Sequence, residues 1–578
     1  MTTPEAIAAR FADGVAARAR WETDAAEIIF RELGKLPFAR PRALTELAVC
    51  LSLQGRGAAA LEAIEEAVAL APMDATIRQN QLILEKLREP ADAARFLDLH
   101  RRWGDDFAPL RGSLHAWRPR DPAVDRRLRI AYLGVDAHTA LERFMPVLAV
   151  HHDPLLFDVL FVYRSGDGPT VAAAQARMPQ VRHLHATGSE ARELARSLAM
   201  LQIDIAIDLC GHGVGQVLEA LSFRPAPVQM TWLDYVATTG VAAIDYRIAD
   251  AVTDPDDPAW PAVASEAVLR LPFAQWCCLP FEIAARAPRP DAGPMLGIIN
   301  ASNKISPALL ARAAALLDAI PEARLRLIGV SGLQARAAIL AVMPAHLHAR
   351  VEIVGRVVEA EFHRLLGSID VALDPLVFSG ATSTLDCLWA GVPVISEPGV
   401  LPHARSTASI LRTLGLEAWI ARDGDDFLRI GRALLGDRAA LAQWREDLPQ
   451  RLRASSLSDG AQFVPALERL YRDAWRRHLL SVDPLDRRVR EGDAPTLRQL
   501  LVARANAAVQ ARDLLPAIDA LETLSLAMPG DLVERNLSRA WNNLGVAHRR
   551  AGRSEAARQA LRTALAIWPQ NPEAAANL

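Results

Sequence analysis

The chain has no excess of charge of either sign and no long apolar run. Among its 578 residues, 65 lysines and arginines nearly balance 68 aspartates and glutamates, so the net charge is −3. Because nucleic-acid-binding proteins and proteins of anionic membrane surfaces typically carry a basic excess, we expect no nucleic acid among the partners. The sequence also shows no apolar run of about 18 residues and no basic leader followed by an apolar segment. We therefore expect no membrane span and a cytoplasmic location.

Cysteine is scarce as well, and the few cysteines lack the spacing of metal ligands. They are Cys50, Cys210, Cys277, Cys278 and Cys387, and most of them lie in apolar surroundings. Such positions favour reduced thiols in a protein core over a disulfide framework or a zinc site.

The length and the apolar content predict several folded units. At roughly 150 residues per domain the chain holds three or four units, and its 51% hydrophobic residues suffice for several cores. Changes in periodicity, with proline-marked junctions near residues 120 and 290, divide the chain into residues 1–120, 121–285, 286–483 and 484–578. The first and last segments are helical, and strands alternate with helices in the two segments between them.

The two outer segments contain repeats of the tetratricopeptide type. From Pro41 the first segment follows the repeat consensus of about 34 residues, and residues 26–37 form a degenerate neighbour. In the last segment Trp541, Gly545 and Pro569 belong to a close match, which a weaker repeat precedes. Stacked repeats present concave surfaces that hold extended chains, so we expect the last repeats to dock a protein acceptor or partner. A stabilising cap is the alternative.

The two inner segments predict parallel sheets covered by helices. Strands are predicted at residues 128–134, 158–163, 203–209 and 228–233, and then at residues 295–300, 324–329, 351–355, 370–374 and 392–396. This alternation indicates two Rossmann-like halves, in which ligands bind at the carboxyl ends of the strands. In the second half, Ser306 and Pro307 predict the start of a helix, as its cap and its first residue.

The stretch from Leu373 to Ser396 is the most informative part of the chain. It runs from an apolar strand through a loop of small residues into a helix and then into a second apolar run. Small residues leave backbone N–H groups bare where the helix begins, and the helix dipole adds partial positive charge there, so the loop suits a diphosphate. It is no Walker loop, because no Gly-Lys-Ser/Thr sequence follows the glycine. On this pattern alone an ordinary β-α-β turn is an equally good interpretation.

The same stretch resembles the O-GlcNAc transferase-like glycosyltransferases of family 41. Their pattern is Leu-Asp, a short loop, Gly-His-Thr-Thr, Asp and Leu-Trp-Ala-Gly-x-Pro. The residues in register with it are Leu373, Asp374, Gly380, Thr382, Ser383, Asp386, Leu388, Trp389, Ala390, Gly391 and Pro393, and Ala381 replaces the histidine. Similarity extends from about residue 128 to about residue 475. The resemblance implies an α/β GT-B core of two Rossmann-like halves, here flanked by all-α tetratricopeptide-like modules at both ends.

The resemblance also implies an activity. Members of this family are inverting, metal-independent enzymes that transfer a sugar from a nucleotide sugar to proteins, so we expect neither a cofactor nor a metal. UDP-N-acetylglucosamine (UDP-GlcNAc) is the first candidate donor, and serine or threonine of a protein is the candidate acceptor. Two alternatives stay open. The chain either uses another activated sugar, as in flagellin or adhesin modification, including transfer to asparagine, or it is a repeat scaffold whose transferase core has lost activity.

On the donor side, the resemblance assigns the diphosphate to a lysine. Asn300 and Lys304 match the family's Asn-Gln-x-x-Lys-Ile-x-Pro, in which the lysine meets the diphosphate. A lysine in a water-poor cleft stabilises the negative charge of a departing nucleoside diphosphate most strongly in the transition state. Lys304 is therefore a candidate catalytic residue, and Ala301 replaces the family glutamine.

The remaining donor contacts implied by the resemblance are the phosphate loop, the ribose and the base. The phosphate loop contributes Gly380, Thr382 and Ser383, and Asp386 is expected to hold the ribose. Phe362 stands where the family stacks a histidine on the base, and it either stacks a pyrimidine or only packs under its helix. Glu359 replaces a family lysine, so together with Ala301 and Ala381 it favours the inactive alternative.

The acceptor side resembles the family in two blocks of the first half. His212 follows a strand, and Tyr235 and Thr238 lie in a loop that faces the sugar and the acceptor in the family. In this loop Val236 and the next residue replace the family's Pro-Gly, which leaves the identity of sugar and acceptor open. His138 resembles the histidine of the family's Asp-Phe-x-x-His-Pro, with one residue fewer before it. It is the second candidate catalytic residue, because a histidine assists proton removal from an acceptor hydroxyl or orients that hydroxyl.

Overall fold

The computed structural model of the chain describes residues 3–111, 114, 125–135, 141–166, 168–213, 217–279, 293–481, 502, 514–527 and 530–578. The candidate His138 and the two predicted proline-marked junctions lie outside these residues.

Six helices form the N-terminal helical module, which comprises residues 3–111. They are α1 (Pro4–Ala19), α2 (Thr23–Leu33), α3 (Arg40–Leu53), α4 (Gly57–Leu70), α5 (Ala75–Glu85) and α6 (Ala93–Phe107). α3 and α4 form the predicted repeat, and they pack through buried small and apolar side chains such as Ala43, Leu47, Ala60 and Ile64.

The first half of the core is a seven-stranded parallel sheet. Its strands are β1 (Leu128–Val135), β2 (Phe157–Tyr163), β3 (Arg182–His185), β4 (Ile205–Asp208), β5 (Val228–Thr231), β6 (Tyr246–Asp250) and β7 (Ala267–Leu271). They are arranged in the order β3-β2-β1-β4-β5-β6-β7. The helices of this half are α7 (Leu141–His151), α8 (Gly168–Arg177), α9 (Ala191–Met200) and α10 (Val217–Leu221).

The second half is a five-stranded parallel sheet in the order β10-β9-β8-β11-β12. Its strands are β8 (Met295–Ile298), β9 (Arg324–Ile328), β10 (Val351–Val354), β11 (Val371–Leu373) and β12 (Val394–Ile395). Its helices are α11 (Pro307–Ala319), α12 (Leu333–Val342), α13 (Glu359–Leu366), α14 (Thr382–Trp389), α15 (Ser406–Thr413), α16 (Gly424–Gly436) and α17 (Arg438–Arg453). Ser306 caps α11 as predicted, because its hydroxyl accepts the N–H of Leu309 at 3.3 Å.

The prediction of two Rossmann-like halves is confirmed. All nine predicted strands are present, with ends shifted by at most two residues, whereas β3, β6 and β7 were not predicted. The long helix α18 (Gly460–Ser481) returns from the second half to the first. There the hydroxyl groups of Tyr471 and Tyr132 lie 2.9 Å apart in a hydrogen bond, and Glu468 accepts the backbone N–H of Asp153.

The C-terminal segment is helical and packs on the first half. Its described helices are α19 (Leu514–Ala527), α20 (Asp531–Arg550), α21 (Ser554–Ile567) and α22 (Pro572–Asn577). Ile518 and Leu521 of α19 belong to the same buried apolar cluster as Leu194 of α9. Arg192 donates a hydrogen bond to Ser525 beside this contact. One face of α19 is therefore occupied by the core.

The N-terminal module packs so tightly on the first half that two glycines face each other. A Cβ added to Gly104 of α6 would overlap the backbone carbonyl of Gly240, and one added to Gly240 would overlap that of His100. Gly240 also has a φ of 73°, which disfavours side chains. The backbone of α6 therefore lies directly on the loop that follows β5.

Two further expectations from the sequence concern the cysteines and a membrane span. All five cysteines are free and buried, in agreement with the expected core thiols. Within the described residues, no helix combines the length and the apolar character that a bilayer span requires.

Candidate functional site

Lys304 lies at the carboxyl end of β8 and carries a poorly solvated charge. It ends a 3₁₀ turn that spans Ser302–Lys304, and its Nζ lies 3.7 Å from the ring centroid of Phe378. Burial lowers the pKa of Lys304 to about 8, although the carboxylates of Asp374 and Asp234 oppose this shift. The side chain is therefore still largely protonated near neutral pH, and an anion at this place would meet a charge that water screens little.

The loop between β11 and α14 takes its shape from Asp374. This buried carboxylate accepts hydrogen bonds from Ser379 Oγ at 2.7 Å and from the N–H of Gly380 at 2.8 Å. Asn300 donates a hydrogen bond to Ser383 Oγ at 2.9 Å. A Cβ on Gly380 would lie only 2.5 Å from Ser383 Oγ, so a larger residue does not fit without a shift. The structure thus brings together three of the predicted donor-binding residues.

Helix α14 begins directly at this loop with an uncapped end. Ala381 is its N-cap, and within the described residues no side chain accepts a first-turn N–H there. Thr382 and Ser383 are the first two residues of the helix, and both are half-buried. Free N–H groups and the helix dipole favour an anion at such a point.

Asp386, the predicted ribose contact, pairs with the first half. Its buried carboxylate accepts a hydrogen bond from Arg143 of α7 at 2.5 Å. Burial raises the pKa of Asp386, and the Arg143 guanidinium opposes this rise. Glu359 and His363, one turn apart on α13, both interact electrostatically with Asp386. Within the described residues, His363 Nε2 is buried without a hydrogen-bond partner.

Phe362, the predicted stacking residue, lies on the same helix α13. It is half-buried and packs against the main core cluster, and its ring centroid lies 5.8 Å from that of His363. Both interpretations from the sequence, stacking on a base and packing under the helix, therefore stay open.

His212 lies under the N-terminal module rather than in an open cleft. It is fully buried, and its ring centroid lies 4.6 Å from that of Trp103 and 5.3 Å from that of Tyr235. Its Nε2 donates a hydrogen bond to the carbonyl of Thr239 at 2.7 Å. Burial lowers the pKa of His212 to about 4, so the ring is neutral. Its predicted acceptor-side role requires substrate to reach it past these rings.

Tyr235 and Thr238 are buried in the same region. The Tyr235 hydroxyl lies 2.9 Å from Nε2 of His100, and this ring nitrogen accepts because Nδ1 donates to the carbonyl of Phe96. Thr238 Oγ1 donates to the carboxylate of Glu266 at 2.8 Å. The three predicted acceptor-side residues therefore lie where the N-terminal module meets the first half, and their contact with an acceptor stays a prediction.

The loop around Tyr235 has an unusual backbone. Leu233 has a φ of 87° and Val236 a φ of 47°, and this region disfavours residues with a branched side chain. Val236 stands where the family pattern has proline, so the departure noted in the sequence coincides with local strain. Strained backbone persists only where its surroundings hold it in place.

Lys86 is a residue of this region that the sequence did not suggest. It follows α5 in the N-terminal module, and its Nζ donates a hydrogen bond to the carbonyl of Tyr235. The same Nζ lies 4.0 Å from the ring centroid of Tyr235 and 4.5 Å from that of Phe378. The backbone oxygen of Lys86 accepts a hydrogen bond from His403 of the second half at 3.0 Å. Lys86 thus touches both halves of the core.

Comparison with known proteins assigns this site to a family. The sequence profile of Glycosyl transferase family 41 matches residues 115–268 and 288–467, which is more than half of the chain. The chain belongs to glycosyltransferase family 41. A tetratricopeptide repeat profile matches residues 538–571, in agreement with the repeat predicted there.

Family 41 proteins of plants are among its relatives. The probable UDP-N-acetylglucosamine–peptide N-acetylglucosaminyltransferase SPINDLY of Petunia hybrida is 28% identical over 450 residues, covering 73% of this chain and 45% of the relative. The probable UDP-N-acetylglucosamine–peptide N-acetylglucosaminyltransferase SEC of Arabidopsis thaliana is 25% identical over 391 residues, covering 64% of this chain and 39% of the relative. The chain thus spans less than half the length of these curated relatives.

A solved family 41 structure has the same architecture. A mutant of the Thermobaculum terrenum O-GlcNAc transferase superposes with a TM-score of 0.70 at 26% identity, covering 83% of this chain and all of that one. The GT-B arrangement with helical repeats is therefore confirmed.

The remaining expectations for this family 41 site are untested. His138 lies outside the described residues. Among the described residues, no cluster of three or more histidine, cysteine, aspartate or glutamate side chains is placed to hold a metal ion. A metal-independent reaction stays a prediction. Arg143 and Lys86 were missed because each reaches the site from an element without a family motif. His363 was missed although it follows Phe362 on α13, because the family resemblance pointed only to other residues of that helix.

Proposed function

We propose that this chain is an inverting glycosyltransferase that moves a sugar from a nucleoside diphosphate sugar to a hydroxyl group of a protein. UDP-GlcNAc is the first candidate donor, and serine or threonine is the candidate acceptor residue. The observation that carries the proposal is the position of Lys304 on the ring of Phe378, a residue of the loop that leads into the uncapped start of α14. The activity named for the relatives SPINDLY and SEC, peptide N-acetylglucosaminyltransferase, agrees with it.

The proposed chemistry uses these residues to stabilise the leaving group. The acceptor oxygen attacks the anomeric carbon from the face opposite the diphosphate, and the bond between that carbon and the diphosphate oxygen breaks with inversion. The electron pair of this bond stays on the diphosphate, where Lys304 and the N–H groups of Thr382 and Ser383 offset the new charge. His138 is the candidate group that orients the acceptor hydroxyl or takes its proton.

The nucleoside is proposed to bind beside α13 and α14. Asp386 is the candidate ribose contact, and its present partner Arg143 lies on the opposite half of the cleft. Ribose binding at Asp386 therefore competes with this ion pair or shares the carboxylate with it. Phe362 and His363 offer rings for a base. Within the described residues, Nε2 of His363 has no hydrogen-bond partner.

The protein acceptor is proposed to dock on the helical repeats. The C-terminal repeat match covers residues 538–571, and α19 fixes that module to the first half, which is the proposed acceptor side. Removing residues 530–578 is expected to abolish modification of the protein acceptor and to spare slow hydrolysis of the donor. Full modification of the acceptor by the shortened chain would contradict this docking role.

An inactive scaffold is the second candidate, and one observation favours it. Asp386 is already paired with Arg143, and Glu359 adds negative charge beside it, where the family pattern has a lysine. A donor that carries a diphosphate would meet less positive charge than the family pattern provides.

Nucleotide-sugar hydrolysis separates the two candidates. Purified full-length chain is incubated with a panel of UDP-, GDP- and dTDP-sugars, with release of nucleoside diphosphate as the readout and Lys304→Met as the matched control. Release from UDP-GlcNAc that Lys304→Met abolishes would support the proposal. Release of nucleoside diphosphate from another sugar nucleotide alone would identify a donor other than UDP-GlcNAc. If no nucleoside diphosphate is released and no nucleotide binds, the inactive scaffold is favoured.

A further inference from the structure

Lysine is rare in this chain, and its positions are informative for that reason. Of the 65 lysines and arginines only three are lysines, namely Lys35, Lys86 and Lys304, so arginine serves almost everywhere else as the cation. Lys35 is exposed on the N-terminal module. The other two share one aromatic ring, that of Phe378, at 4.5 Å and 3.7 Å from its centroid. A compact ammonium with a slender stem fits between buried rings where a planar guanidinium does not.

The two ammonium groups form a pair of like charges in a dry place. Their nitrogens lie no farther apart than the sum of their distances to the ring centre, and only 4% of Lys86 is exposed. Burial lowers the pKa of Lys86 to about 7, with repulsion from Lys304 as a smaller contribution and attraction by Asp234 opposing both. Such a pair is costly unless an anion neutralises it.

The carboxylates around the pair do not neutralise both charges. Asp374 accepts its hydrogen bonds from Ser379 and Gly380 of the loop before α14 and from Ser396, which follows β12. Asp234 attracts both lysines, but it is exposed to solvent, where water weakens its charge. An anion with two or more negative charges is therefore the ligand that this arrangement suits.

We propose that Lys86 is a second cationic contact for the diphosphate of the donor, so that the N-terminal helical module supplies part of the donor site. The proposal deepens the proposed function and rests on it. Lys304 approaches the diphosphate from the second half. Lys86 approaches it from the residue after α5, and both ammonium groups lie near the ring of Phe378. Both charges act on the leaving group, because the bond that breaks leaves its electrons on the diphosphate.

A purely structural role is the competing account of Lys86. Its Nζ holds the carbonyl of Tyr235 in the loop that contains the strained residues Leu233 and Val236. In that account the lysine only keeps the loop in place, and a diphosphate never touches it. The two accounts differ in one measurable respect: only a phosphate contact discriminates between UDP and uridine.

The first experiment compares UDP with uridine by calorimetry. The full-length wild-type chain, Lys86→Met, Lys304→Met and the control Lys35→Met are titrated with each ligand. We expect Lys86→Met to weaken UDP binding about tenfold or more, with the uridine affinity within about twofold of wild type, because a charged hydrogen bond to phosphate is lost. Lys35→Met should leave both affinities unchanged. Equal loss for UDP and uridine, or no loss for either, would overturn the proposal.

The second experiment measures binding on the wild-type chain and works even if Lys86→Met does not fold. Selective labelling of lysine with ¹³C at Cε gives one signal for each of the three lysines. The variants Lys35→Met and Lys304→Met assign two of these signals, and the remaining one belongs to Lys86. Addition of UDP should shift the signals of Lys86 and Lys304 and leave that of Lys35 in place, whereas uridine should shift neither. A shift at Lys304 alone would overturn the role of Lys86 and leave the proposed function standing. If UDP shifts no signal, both proposals are wrong.

Discussion

Replacing Lys86 by methionine should stabilise the ligand-free protein at neutral pH. Burial holds the pKa of Lys86 at about 7, far below the 10.5 of an ordinary lysine, and the charge of Lys304 adds to this effect. Since the folded pKa lies below the unfolded one, the unfolded chain binds more protons than the folded chain between these two values. The ammonium therefore destabilises the fold at and below neutral pH, and this penalty fades as the pH rises towards 10.5.

The size of this effect follows from the same two pKa values. One unit of pKa difference corresponds to roughly 1.4 kcal/mol. The difference between the folded and the unfolded pKa therefore gives a penalty of about 4 kcal/mol in the free energy of unfolding at pH 7. Methionine keeps an unbranched apolar stem against the rings of Tyr235 and Phe378 and removes the charge. It also loses the hydrogen bond to the carbonyl of Tyr235, which costs about 2 kcal/mol. The expected net gain is about 2 kcal/mol at pH 7.

Thermal unfolding at two pH values measures this gain. The Tm of Lys86→Met should exceed that of wild type at pH 7, and the difference should shrink or vanish at pH 9.5, where the wild-type lysine is neutral. Saturating UDP should narrow this difference at pH 7 by about 1.4 kcal/mol for each tenfold loss of UDP affinity, because a ligand stabilises the better-binding protein more. Lys35→Met, at an exposed lysine, is the matched control and should follow wild type. A Tm below wild type at both pH values would refute the electrostatic argument.

Three further outcomes test the rest of the site. Lys304→Ala should lower donor turnover by a factor on the order of 100 without loss of fold, and near-normal release of nucleoside diphosphate would remove Lys304 from the mechanism. Phe362→Ala should weaken UDP binding in calorimetry, whereas an unchanged affinity would show that this ring only packs under α13. Gly380→Ala should reduce the free energy gained on UDP binding more than the free energy of unfolding, because its Cβ would meet Ser383 Oγ at 2.5 Å in the phosphate loop. An unchanged UDP affinity would show that the anion binds elsewhere.

The strands of the core could be predicted because they are short apolar runs between turn signals. The unpredicted strand β3 (Arg182–His185) has a polar sequence and lies at the edge of its sheet, where one side needs no apolar neighbour. The strand β7 (Ala267–Leu271) has only five residues, contains Arg270 among its apolar residues and lies at the opposite edge of the sheet. Local composition alone therefore does not distinguish such strands from loops.

The donor loop could be predicted, whereas its partners could not. Gly380 and Ser383 belong to one continuous motif, and the structure joins them to Asn300 as expected. Lys86 contacts a residue 149 positions away, and Arg143 contacts one 243 positions away. Such contacts depend on how three separate units pack, and a single sequence holds no pattern for that packing.

The backbone contact between Gly104 and Gly240 restricts how this chain can be recombined with other repeat arrays. Repeat arrays are often exchanged between proteins as independent modules, and the junction is placed where the match to the catalytic family begins. A chimera joined at residue 115 would separate the two glycines from each other and would discard Lys86 and His100 together with α6. Any foreign array would need a glycine of its own at the matching helical position before its backbone could lie on that loop. The useful fusion point is therefore upstream of α5, so that α5, Lys86 and α6 stay with the catalytic core.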